Sequence, residues 1–321
     1  MTLNRRHVLA ISAAAAAAAG LPFTARATQE IGGLALGSYW RGHFHLEAPA
    51  DEIRHLVNGI VAEVDAQMSP YQPDSDLSQF NRALAGAQDM PPDLIEVARE
   101  ALQLAHRTGG AFDPTVGPTV ARYGFGPIAG ARSGTWHGLE IGEGHILKSH
   151  PDLTLDLCGI AKGHALDRLM AALAQAGLRD FIVELGGEVA VNGRHPDGRP
   201  WRVGVENAHG GLAGVALLDH GWSVATSGNG AQSYQMGDFT YGHIIDPRTD
   251  GPSGTSLASV SVFAETAMQA DGLATALFVM GAEPARAYAE AEGLHAALVR
   301  ASGDLVLTGQ ARRFVRAGGQ G

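Results

Sequence analysis

The chain has 321 residues, with 33 acidic against 23 basic side chains and a formal charge of -10 at neutral pH. A surface that acidic lacks the basic stripe that phosphate backbones require, which argues against nucleic acid as a partner. Cys158 is the one cysteine, so no disulfide can form within a single chain, and a small buried filler is its simplest role.

Residues 1–27 read as an export leader rather than part of the fold. Arg5-Arg6 precede an alanine-rich apolar run, Pro22 interrupts it, and Ala25-Arg26-Ala27 is a small-x-small cleavage site. Adjacent arginines before a mild apolar stretch point to twin-arginine export and hence to the periplasm. Cleavage leaves about 294 residues and removes Arg5, Arg6 and Arg26, moving the charge to about -13. No cysteine stands near the cleavage site, so no lipid anchor is expected there. The remaining length, 28–321, suits one large domain or two moderate ones. Glycines spread through turn-like positions and predict an α+β chain with many tight connections.

Alternation predicts a first strand over 34–46 and a helix from Pro49 to about Gln67. Asp74 or Ser75 can cap a short helix through Phe80. Tyr71, in the Pro-rich loop before it, is either an ordinary loop residue or a ring to stack on a flat ligand. An amphipathic helix over 91–107 ends at Gly109-Gly110. The following Ala111-Phe-Asp-Pro-Thr-Val-Gly-Pro118 cannot continue a helix, and Asp113 there is a cap or a ligand contact.

The central stretch is 154–173. Thr154 to Leu157 reads as the end of a buried strand, and Ile160 to Leu173 as a helix. A strand that turns through Gly159 straight into a helix leaves free N–H groups at the positive end of the helix dipole, an anion site. Lys162, one of two lysines in the chain, adds a full charge in the first turn, and Asp156 lies just before it. An ordinary helix start is the competing reading.

Strands follow over 181–190, with a Gly-Gly interruption that marks a bulge or close approach, and over 201–206, 214–218 and 223–226. Gly237-Asp238 is a turn, and 239–245 another strand. His243 and Ile245 share a face, and Asp246 beside them makes His243 a candidate base with an orienting carboxylate. After a strand over 259–264, a helix runs from Thr266 through Met280. On it Asp271 and Thr275 are four residues apart and so share a face. A carboxylate and a hydroxyl are a hard oxygen pair suited to Mg²⁺. The blander reading of Asp271 is a helix-dipole partner. Strands over 295–300 and 304–307 follow a further helix.

Taken together, Met68-Ser-x-Tyr71, Gly110-Ala-Phe-Asp-Pro-Thr115, Asp156-Leu-Cys-Gly-Ile-Ala-Lys-Gly163, Leu185-Gly-Gly187, Ala225-Thr-Ser-Gly228, His243-Ile-Ile-Asp-Pro-Arg248 and Ala270-Asp-Gly-Leu-Ala-Thr-Ala276 resemble the ApbE family of FAD:protein FMN transferases. The leader, with no lipid cysteine, is most similar to the NosX branch linked to nitrous oxide respiration. The resemblance implies an α+β, T-fold-like architecture of mixed, largely antiparallel sheets with packed helices, forming one transferase domain over 28–321 whose division into two subdomains stays open. It implies FAD as substrate, Mg²⁺ as metal, and transfer of FMN to a Thr or Ser of a target flavoprotein with release of AMP. A NosR-like membrane protein is one candidate target.

By the same resemblance, Asp271 and Thr275 bind the metal through side chains, with carbonyl help from Gly159 and Ala274. Leu36, Tyr71, Ala111, Phe112, Asp113, Asp156, Lys162 and Ile245 match flavin-nucleotide contacts. Asp271 and His243 carry the catalysis, His243 as base. Cys158, Leu36, Gly272 and Asp250 depart from the usual pattern. Two rivals remain open: an FAD pyrophosphatase giving FMN and AMP, and a non-catalytic flavin carrier.

Overall fold

A computed structural model describes residues 28–130, 134, 136–207, 211–229, 233–236, 239–254 and 256–318. The leader expected over 1–27 and the turn expected at Gly237-Asp238 lie outside the described residues. β1 (Thr28–Ala35) and β2 (Ser38–His45) form an antiparallel hairpin where one strand was expected over 34–46. The turn is Leu36-Gly37, with φ of 47° and 72°. Tight hairpin turns of this kind need positive φ at both central residues, which Asn-Gly signals and Leu-Gly hides.

α1 (Ala50–Met68) is followed by α2 (Asp76–Arg82), capped by Ser75, whose side chain accepts from the Ser78 N–H at 3.0 Å. The other end of α2 is closed by buried Lys148, whose Nζ donates to the carbonyls of Phe80, Asn81 and Ala83 at 3.2, 3.2 and 2.9 Å. β3 (Gly86–Asp89) precedes α3 (Pro92–Arg107), which stops at Gly109-Gly110, both at positive φ. As expected, the 111–118 segment does not continue α3, and a separate short helix, α4 (Gly117–Arg122), begins at its end. Pro118 stands in its first turn, where a missing N–H costs nothing.

β4 (Leu139–Ile141) and β5 (His145–Lys148) lead to the central stretch. Residues 153–157 are buried but not a strand. The Asn81 side chain stands in for a strand partner: its Nδ2 donates to the Leu155 carbonyl at 2.9 Å and its Oδ1 accepts from the Leu155 N–H at 2.7 Å. α5 (Ala161–Gln175) follows. β6 (Phe181–Leu185) and β7 (Glu188–Asn192) form a second hairpin rather than one bulged strand, turning at Gly186-Gly187 with φ of 62° and 111°.

The rest of the chain supplies β8 (Trp201–Glu206), β9 (Leu212–Leu218), β10 (Ser223–Gly228), β11 (Ser233–Met236), β12 (Phe239–Gly242), β13 (Ile245–Asp246), β14 (Gly251–Pro252) and β15 (Leu257–Ala264). Then come α6 (Ala267–Met280), α7 (Ala282–Ala291), β16 (His295–Arg300), β17 (Leu305–Leu307), α8 (Ala311–Phe314) and β18 (Val315–Ala317). The strand expected over 239–245 is split, with His243 and Ile244 between β12 and β13.

The main sheet has eight strands in the order β1-β2-β6-β7-β10-β15-β16-β17, every pair antiparallel. Period-two patterning gives it two apolar faces. Val183, Val260, Val262 and Leu298 join Leu169, Ala274, Leu277 and Phe278 in the large core under α5 and α6. Val224, Phe263, Ala297 and Val299 form a smaller core with Trp201, Val205 and Ala216, under the three-stranded sheet β18-β9-β8. The fold is thus α+β with largely antiparallel sheets. No described helix is long and apolar enough to cross a membrane.

Candidate active site

α5 and α6 cross at their first turns. A Cβ at Gly163 would lie 2.3 Å from the Ala267 carbonyl oxygen, so glycine sets how closely the helices approach. Two carboxylates lock the crossing. Asp271 of α6 accepts from the Gly163 N–H at 3.0 Å, while Asp167 of α5 accepts from the N–H groups of Ala267 and Met268 at 2.7 and 2.9 Å. Each helix therefore caps the other's orphan donors. Burial raises the pKa of both acids, that of Asp167 to about 6. One turn beyond Asp271, the Thr275 hydroxyl lies 3.2 Å from that of Ser227 at the end of β10. Gly159 completes this corner: a Cβ there would meet Phe112 Cε2 at 3.3 Å and Thr275 Oγ1 at 3.4 Å. Ala274 is buried in mid-helix, where its carbonyl belongs to the α-helical ladder.

Lys162 leaves the first turn of α5, passes Gly186 and pairs with Glu188, the first residue of β7. Burial opposes the Lys162 ammonium, but Glu188 and Asp271 outweigh it and hold its pKa above the usual lysine value. Burial lifts the Glu188 carboxyl above its usual range, against the pull of Lys162. Asp156 is also raised by burial, and its Oδ1 accepts from the Cys158 N–H at 2.9 Å. Cys158 is exposed, which corrects its expected role as a buried filler. Its thiol is open to solvent yet ringed by protein. Loss of bulk water and the charge of Asp156 push its pKa well above the usual thiol range. Exposed Tyr71 senses both Cys158 and Asp156, and its hydroxyl donates to the Phe125 carbonyl at 3.1 Å.

Phe125 also meets the His243 ring, with centroids 6.3 Å apart and planes at 64°. Asp246 is not shaped as an orienter for this histidine. Arg248 holds both of its oxygens, Nε to Oδ1 at 2.9 Å and Nη2 to Oδ2 at 2.8 Å. Ala111, Phe112 and Ile245 are buried. Asp113 resolves as a turn cap through Oδ1, which accepts from the Thr115 N–H at 2.7 Å and hydroxyl at 2.6 Å. Its Oδ2 faces Gly134, where a Cβ would stand 3.7 Å from it and 3.7 Å from the Pro247 carbonyl. This brings the 111–113 loop to the turn after Ile245. Leu36 stands apart, in the β1–β2 turn. That turn reaches the cluster through Ser38, which packs against Gly186.

The sequence profile of the ApbE family matches residues 36–299. The chain belongs to the ApbE family. Among its relatives, an FAD:protein FMN transferase of Vibrio cholerae is 36% identical over 261 residues, covering 76% of this chain and 78% of the relative. One of Escherichia coli is 30% identical over 309 residues, covering 88% and 87%. The apo Pseudomonas stutzeri flavinyl transferase ApbE superposes with a TM-score of 0.80 at 31% identity, covering 91% of this chain and 98% of that one.

The chain also gathers several hard oxygens at one corner. Among the described residues no three His, Cys, Asp or Glu side chains are placed to share a metal. The donors here are of another kind: the Asp271 carboxylate, the Thr275 and Ser227 hydroxyls, and the Gly159 backbone. All are hard oxygens, as Mg²⁺ prefers, and few in number, as its retained waters and phosphate ligands allow. Two open clefts, of about 690 and 150 Å³, adjoin Trp222 and share none of the predicted site residues. Ser227 and Glu188 escaped the sequence reading of individual roles, although Ala225-Thr-Ser-Gly228 and Leu185-Gly-Gly187 were the signals beside them.

Proposed function

We propose that this protein transfers FMN from FAD to a threonine or serine hydroxyl of a target flavoprotein and releases AMP. The observation that carries the reading is the α5–α6 crossing, which gathers a lysine ammonium, a helix N-terminus and the oxygens of Asp271, Thr275 and Ser227 into one corner. A pyrophosphate needs both kinds of group, donors for its oxygens and a hard cation for its charge. The target hydroxyl attacks the FMN phosphorus and loses its proton to His243. The bond from that phosphorus to the bridging oxygen breaks, and AMP leaves with the oxygen. A Mg²⁺ held by Asp271, Thr275, Ser227 and the Gly159 carbonyl would neutralise pyrophosphate charge. Lys162 orients the phosphates through its ammonium, at the positive end of the α5 dipole. Tyr71, exposed beside Cys158 and Asp156, covers the bound nucleotide and excludes water.

The leader over 1–27 supports work in the periplasm after export, and a periplasm-facing, NosR-like membrane flavoprotein is the target we favour. The test is to incubate the mature protein with FAD, Mg²⁺ and a soluble fragment of such a flavoprotein, then to assay in-gel flavin fluorescence and AMP. A fluorescent target band with matching AMP is the expected result. AMP with free FMN and no band would favour a pyrophosphatase, and bound FAD with neither product a carrier.

A further inference from the structure

Glu188 is 2% exposed and directly follows the Gly186-Gly187 turn. One of its oxygens holds Lys162, while Oε2 is buried with no hydrogen-bond partner among the described residues. A buried carboxylate left half-satisfied is a standing cost to the fold and calls for a reason. The surroundings supply one. Lys162 lies in the field of two carboxylates, Glu188 and Asp271. Gly186 opens the lane between α5 and the hairpin: a Cβ there would stand 3.3 Å from Lys162 Cδ and 3.6 Å from Glu188 Oε2. A flexible ammonium with a single acidic neighbour collapses onto it. Here that neighbour would be Asp271, the carboxylate at the cation corner.

We propose that Glu188 is a positioning residue, which holds the Lys162 ammonium away from Asp271 and so leaves that carboxylate open to a divalent cation. The inference rests on the functional reading above and extends it to a residue outside the corner. Lys162 then faces the pyrophosphate from one side and the cation from the other, and neither neutralises the other's partner.

The test is Mn²⁺ binding to the mature protein without FAD, followed by electron paramagnetic resonance, with thermal melts as a check on folding. Glu188→Gln should weaken Mn²⁺ binding about tenfold. The double variant Lys162→Met, Glu188→Gln should restore it to within about twofold of wild type, because no ammonium remains to occupy Asp271. Glu188→Asp, which keeps the charge on a shorter stem, should fall between and serves if the glutamine variant does not fold. Unchanged binding in Glu188→Gln would overturn the proposal. So would a loss that removing Lys162 fails to rescue, since that marks a general disturbance. Absence of Mn²⁺ binding already in the wild type would overturn the cation corner itself, and the role of Glu188 with it.

Discussion

His243 follows β12 and sets its ring against Phe125, whose carbonyl anchors the Tyr71 hydroxyl. His243, the proposed base, therefore shares a wall with Tyr71, the proposed cover of the nucleotide. His243→Ala should slow FMN transfer by about 10²–10⁴-fold while leaving FAD affinity unchanged, as single-turnover labelling and an FAD titration would show. An equal loss of FAD binding would make His243 a flavin contact instead. The adjacent pattern His-Ile-Ile-Asp misleads at this scale. Asp246 looked like the orienting carboxylate because spacing alone does not show which cation claims it, and Arg248 claims it. That Asp271 and Thr275 share a helix face was legible, because helical spacing fixes it. Ser227 and Glu188 were not, because strand pairing and a two-glycine turn bring them to the site from distant positions in the chain.

The reciprocal capping of α5 and α6 is an element-scale device. Gly163→Ala forces a methyl against the Ala267 carbonyl and should cost about 1–3 kcal/mol, read as a lower denaturation midpoint together with slower transfer. Asp167 adds a pH signature. Burial raises its pKa from 3.8 to about 6, so the folded state binds its proton more tightly than the unfolded state does. Its contribution to stability is fully present below about pH 4 and falls as pH rises through about 6. Asp167→Asn cannot ionise, so its melting temperature relative to wild type should rise between pH 4 and 7. A constant difference would show that Asp167 does not titrate in that window. The helices themselves were legible from periodicity and caps. The hairpins were not: Leu36-Gly37 and Gly186-Gly187 turn the chain within stretches whose alternation runs straight through them. The expected strand over 154–157 has the right burial, but its partner is a side chain, Asn81, which no strand pattern encodes.

At the scale of the whole molecule, an eight-stranded antiparallel sheet carries α5 and α6 on one face and a small three-stranded sheet on the other. The helix face places the start of α5 and the middle of α6 beside the β6–β7 turn and the end of β10, so four sequence-distant segments meet at one corner. The motif order along the chain made the family legible before any of this geometry. The route by which those motifs converge is set by sheet order, which a single sequence does not display.

The central claim is that this corner moves FMN from FAD onto another protein. Its most direct test is the intact mass of the target fragment after incubation with FAD and Mg²⁺. The account predicts a gain equal to FMN less water with the wild-type chain, and no gain with Asp271→Ala or with EDTA present. An unmodified target in every sample, for a fragment that another family member does label, would contradict it, as would labelling that survives loss of Asp271.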